Sequence, residues 1–184
     1  TMDNIPFKGE DVWYGYELSW LNDKGKPVVA VAEISFPCTS PNIVESKSFK
    51  LYLNSFNQTK FSSWQSVESA LVKDLSATAG ANAEVKLFTV NNCPALQLPV
   101  DNAVCIDDID IEIDQYQLTP ELLQNACHDN GENVKEYLVC HLLKSNCLIT
   151  NQPDWASIYI KYSGKKICHA TLLKYLISFR QHNE

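Results

Sequence analysis

Cys147 and Asp154 are the residues of this chain whose types and spacing most directly offer chemistry. A thiolate is a strong nucleophile, and a carboxyl group near the atom it attacks can hand over a proton. The two stand seven positions apart in Cys147-Leu148-Ile149-Thr150-Asn151-Gln152-Pro153-Asp154. The thiol ends one apolar segment, a polar turn containing Pro153 follows, and the aspartate opens the next segment. A chain reversal there brings both groups to the same end of one sheet. The same spacing also fits an inert buried thiol beside a solvated aspartate. No histidine is close in sequence to activate the thiol. His141 and His169 are candidates through the fold, as are a lysine or a helix N-terminus.

A second constellation is Glu45-Ser46-Lys47. A carboxylate can accept two N–H bonds from the amino-lactam edge of a guanine-like ring, and a lysine can pair with a phosphate. The plainer reading is a helix cap followed by a surface lysine. The acidic run Asp107 to Asp114 lacks the loop geometry of a calcium site and reads as the wet face of an edge strand. The seven cysteines and four histidines show no local metal-ligand spacing, so no metal site is expected. No glycine-rich phosphate loop and no Rossmann fingerprint are present.

The elements that must position these groups follow from periodicity. Residues 13–21 and 28–36 read as strands joined by the turn Asn22-Asp23-Lys24-Gly25-Lys26-Pro27. Glu45 to Thr59 reads as a helix with Phe49, Tyr52, Leu53 and Phe56 on one face. A second helix runs from Ser63 to Ser76, with Gly80 past its end. Ala83–Val90 and Ile109–Tyr116 read as strands, the latter from alternating isoleucines and acids. The long irregular connection 91–108 lies between them. Together these give a β-β-α-α-β-β unit over residues 13–116.

A short helix is expected at Thr119-Pro120-Glu121, then a polar loop at Asp129 to Asn133. Val134–Leu143 is an apolar segment, strand or helix. A strand at 156–162, a turn at Ser163-Gly164 and a helix from His169 complete the order. The pattern of the first half thus begins again and stops in its first helix, dividing the chain into residues 1–118 and 119–184. The start at Thr1 and the end at Glu184 read as a piece of a longer protein.

The composition is that of a globular protein, 45% hydrophobic and 20% charged. The net charge of −7 disfavours nucleic acid as a direct partner, and no stretch is long and apolar enough for a membrane span. An odd number of cysteines without a signal peptide points to a reducing, cytoplasmic compartment.

Two long segments carry a resemblance. Val44-Glu45-Ser46-Lys47-Ser48-Phe49-Lys50-Leu51-Tyr52-Leu53-Asn54-Ser55-Phe56 resembles the signature of the nitrile reductases of queuosine synthesis, the NADPH-dependent 7-cyano-7-deazaguanine reductases. Cys147 to Tyr162 resembles their catalytic segment, and the order of the two resembles the bimodular subfamily. The resemblance implies an α+β tunnelling fold whose second unit is incomplete here. It implies that Cys147 adds to the nitrile carbon as a covalent thioimide and that Asp154 donates protons. It implies Val44, Glu45 and Ser46 at the substrate, Ser46 and Lys47 at NADPH, and no metal. It further implies a small deazapurine substrate and a homodimer or larger homo-oligomer. The family's His-Glu pair and its Arg- and Gly-rich segment lie beyond the stretch present here. The rival reading is a non-catalytic purine- or pterin-binding module of the same fold.

Overall fold

The computed structural model describes residues 7–94, 102–127 and 131–183. Two compact units are present, Thr1–Leu96 and Gln97–Glu184. Among the described residues there are two three-stranded sheets and three α-helices, a mixed α+β architecture consistent with the tunnelling fold.

In the first unit, β1 (Glu10–Leu21) and β2 (Pro27–Pro37) form the expected antiparallel hairpin. The Asn22 side chain closes its turn by accepting from the amides of Lys24 and Lys26, and Gly25 takes φ 80°. β3 (Glu84–Phe88) pairs antiparallel with the other edge of β2. α1 (Ser46–Asn54) and α2 (Trp64–Ala79) cover the sheet. The α2 stripe of Val67, Leu71, Leu75 and Ala79 is buried in one cluster with Leu18, Trp20, Ile34 and Phe36 from the strands. Phe49 anchors α1 in the same core. α2 starts at a reciprocal Ser63–Ser66 capping box and stops at Gly80, which adopts φ 70°.

In the second unit, β4 (Val104–Cys105) lies parallel to β5 (Asn133–Asn146), and β5 pairs antiparallel with β6 (Pro153–Lys165). α3 (His169–Ser178) places Leu172, Leu173 and Leu176 on Leu138 and Cys140 of β5. A register shift between Cys140 and Leu143 marks a bulge in β5. It moves the inward phase by one residue, so Leu143 packs on the core while Leu142 is 37% exposed. This irregular spacing is why the segment reads ambiguously as strand or helix in the sequence.

Several expectations need correction. Ile109–Tyr116 is irregular rather than a strand, so the first half carries β-β-α-α-β. Its alternation is nonetheless real. Ile109, Ile111 and Ile113 are half-buried while Asp110, Glu112 and Asp114 are exposed. Any extended chain lying on an apolar surface shows that period, whereas a ladder also needs an open strand edge. Ile109 and Ile111 pack on the core of the second unit, as does Ile106. Ser163 and Gly164 lie inside β6, paired with Lys135 and Val134, rather than in a turn. Pro120–Asn125 is a 3-10 turn, and Thr119 makes no side-chain cap bond to it. The last helix ends at Ser178 and passes into a 3-10 turn at Phe179–Gln181. Asp129 and Asn130 of the expected polar loop lie outside the described residues.

Gly80 offers a direct test of the α2 terminus. A Cβ there would lie 2.6 Å from Pro41 Cγ, in a left-handed conformation that L side chains resist. Gly80→Ala is expected to cost about 1–3 kcal/mol, read as a lower urea midpoint with an unchanged slope.

Candidate active-site residues

Cys147 is the first residue past the last β5–β6 pair, Asn146↔Pro153. Its amide donates to Gln152 O at 2.9 Å, and the Asn151 amide donates to Cys147 O at 2.8 Å, closing the turn. Asn151 reaches φ 54°, a conformation asparagine tolerates better than most residues. Asp154 pairs across the ladder with Ser145. Directly opposite residues share a face, and alternation from Leu143 puts Ser145, and by one further step Cys147, on that face too. A diagonal placement of this kind separates the two backbones by about 7–8 Å, room for a small reacting group between thiol and carboxyl. Cys147 is half-buried and Asp154 exposed, so the carboxyl has solvent access while the thiol is partly screened.

The tip is braced from below. The Asn146 amide donates to His182 O at 2.8 Å, and Lys144 Nζ donates to Arg180 O at 2.8 Å. Arg180 also lies over the Trp155 ring at 5.8 Å. Leu148, Ile149 and Trp155 around the tip are 67%, 78% and 60% exposed, an apolar rim suited to an aromatic ligand. Two histidines open as activators of Cys147 have partners elsewhere. His141 Nδ1 meets Ser157 Oγ at 2.7 Å. His169 Nε2 meets Glu136 at 3.1 Å, near the far end of β5, where Tyr162 also bonds that carboxylate.

In the first unit, Glu45 is the N-cap of α1. Its two oxygens accept from the amides of Lys47 at 2.8 Å and Ser48 at 2.7 Å. Those bonds, with the nearby Lys47 ammonium as a lesser cause, hold its carboxyl at about 2. Each oxygen keeps a second lone pair, so an ionised Glu45 can cap the helix and still accept from a ligand. Lys47 Nζ lies 3.9 Å from the same carboxylate.

The helix start divides two clefts. Val44 and Glu45 line one of about 380 Å³, together with Tyr52 and Asp74. Ser46 and Lys47 line an open cleft of about 1000 Å³ with Trp13, Tyr14 and Tyr16. Asp74 is a carboxylate that sequence reasoning passed over. It accepts from Tyr52 Oη at 2.8 Å, and burial together with that bond raises the Tyr52 hydroxyl well above its ordinary value. Its signal was one of two acids on α2, with Glu68, indistinguishable in sequence from a solvated face.

The Glu45 cap has a pH signature. A carboxyl held below its ordinary value of 4.5 stabilises the fold above that value and loses the contribution as pH falls toward about 2. Urea midpoints of wild type and Glu45→Gln should therefore differ at neutral pH and converge across that window. A gap that persists unchanged down to pH 2 would contradict the cap.

Residues 1–87 match the family described as nitrile reductase, 7-cyano-7-deazaguanine-reductase N-terminal domain. The whole chain aligns at 69% identity with a NADPH-dependent 7-cyano-7-deazaguanine reductase from Colwellia psychrerythraea, covering 65% of that relative's length. The chain is thus similar along its full extent to a 7-cyano-7-deazaguanine reductase, of whose length it spans less than two thirds.

Proposed function

We propose that this chain serves the NADPH-dependent reduction of the nitrile of 7-cyano-7-deazaguanine to the primary amine of 7-aminomethyl-7-deazaguanine, in queuosine biosynthesis. The observation that carries the reading is that Cys147 directly follows the last β5–β6 pair, with its amide bonded to Gln152 O, while Asp154 sits in the pair before it, opposite Ser145. It is supported by 69% identity to a relative named for that reductase.

Cys147 Sγ attacks the nitrile carbon and forms a C–S bond. The π pair displaced onto nitrogen takes a proton from Asp154, leaving a thioimide. The exposure of Asp154 lets water return that proton. NADPH, when bound, supplies the hydride for each of two reductions. After the first, the C–S bond breaks, its pair returns to sulfur, and an imine is released from Cys147. After the second, the product is the amine. The balance is one nitrile, two NADPH and two protons in, one amine and two NADP⁺ out.

Val44, Glu45 and Ser46 hold the deazaguanine, with the remaining lone pairs of Glu45 accepting from the amino-lactam edge. Ser46 and Lys47 fit an anionic cofactor. Both are exposed donors at a helix N-terminus on the wall of an open cleft, a favourable place for a phosphate. The working form is a homodimer or larger homo-oligomer in the cytoplasm. Its partner is a small deazapurine rather than nucleic acid or a membrane. The net charge of −7 supports this, and among the described residues no helix is long and apolar enough to cross a membrane.

Turnover by the intact protein tests the reading. Two NADPH should be oxidised per amine formed. Asp154→Asn should lower kcat by about 10²–10⁴-fold with ring binding little changed. Reversible binding of the ring with no NADPH oxidation would instead support the purine- or pterin-binding module.

A further inference from the structure

Cys105, Asp107 and His141 come together in the second unit, with a thiol sulfur, a carboxylate oxygen and a ring nitrogen all within 4.8 Å of one another. None of the three enters the chemistry proposed above. We propose that they form a site for one divalent transition-metal ion of the zinc type.

The β5 bulge builds this cluster. Bulged residues lose their ladder partners, so the amides of His141 and Leu142 need other acceptors. The His141 amide donates to Asp107, at 3.1 Å to one carboxylate oxygen and 3.3 Å to the other. The Leu142 amide donates to Cys140 Sγ at 3.5 Å. The first of these bonds draws the Asp107 carboxylate against the histidine. Cys105 arrives independently, through the parallel pairing of β4 with β5 at Cys105↔Val139. The His141 ring is fixed in turn by Ser157 Oγ at Nδ1, 2.7 Å away, which leaves Nε2 for an ion. A second partner of that kind is what holds metal-binding imidazoles in place.

The donor set suits the ion. A sulfur, an imidazole nitrogen and a carboxylate oxygen are all zinc ligands, and three protein ligands leave a fourth position for water. A thiolate and a carboxylate together neutralise a divalent charge. Tetrahedral bonds of about 2.0–2.3 Å set ligand atoms roughly 3.3–3.8 Å apart, so closure needs a contraction of about 1 Å. The two-residue strand β4 and the exposed side chains of Cys105 and His141 permit it. Cys140 stands beside the cluster but is buried, its thiol pushed up to about 12 mainly by burial, and serves the bulge instead. Cys147 lies six residues beyond His141, just past the end of β5, about 20 Å at strand rise, so the ion and the catalytic thiol are separate sites.

Cobalt(II) titration of the chelator-stripped intact protein, followed by zinc displacement, tests this. The expected result is saturable uptake of one equivalent with a thiolate-to-cobalt charge-transfer band. Cys105→Ser should abolish the band, and His141→Ala should weaken binding at least tenfold. Ser157→Ala, which removes no ligand, should weaken it about tenfold. Thermal unfolding of the metal-free variants should match wild type, because both ligand side chains are exposed. Absence of one-equivalent uptake would overturn the proposal. So would a band that survives Cys105→Ser, since the thiolate would then belong elsewhere.

Discussion

Register in the β5–β6 hairpin is the constraint on which the rest of the second unit depends. A strand has period two, so a shift of one residue sends every later side chain to the opposite face. The bulge between Cys140 and Leu143 makes such a shift once, in the middle of β5. Before it, Leu138 and Cys140 face the α3 leucines, and after it Leu143 does. Without it, the phase that carries Leu143 inward would be lost, and Ser145 and Cys147 would change sides with it. The same defect frees two amides that the Asp107 carboxylate and the Cys140 sulfur satisfy. One irregularity therefore sets both the facing of the strand's last residues and the side-chain cluster near its middle.

The start of α1 plays the corresponding part in the first unit. A helix N-terminus presents amides without partners, and here Glu45 accepts from two of them. The bonds keep the carboxylate ionised and fix its direction, which a flexible surface glutamate would lack. The capping reading and the ligand-binding reading of Glu45-Ser46-Lys47 are thus compatible, because capping consumes only part of the carboxylate's acceptor capacity. The Phe49 anchor and the α2 stripe beneath it hold that helix start in place.

Much of this was legible in the sequence, for identifiable reasons. The β1–β2 hairpin is a local object, with Gly25 and Asn22 specifying its turn. The α1 and α2 stripes are local periodicities, and Gly80 marks a stop that the backbone uses. The illegible parts are non-local. Ile109, Ile111 and Ile113 alternate as a strand does, but no local signal says whether a strand edge is available to pair. The bulge appears only as a spacing that fits neither period two nor 3.6. Cys105, Asp107 and His141 show no ligand spacing because a parallel pairing and a bulge, not chain order, bring them together. The family signature was legible because long motifs carry more information than periodicity does.

The central claim is that Cys147 is the nucleophile of a covalent nitrile reduction. An intact-mass spectrum of the protein incubated with 7-cyano-7-deazaguanine in the absence of NADPH tests it most directly, with Cys147→Ala in parallel. The account predicts a gain equal to one substrate mass in wild type and none in the variant. An adduct that persists in Cys147→Ala, or turnover with NADPH by that variant, would contradict it.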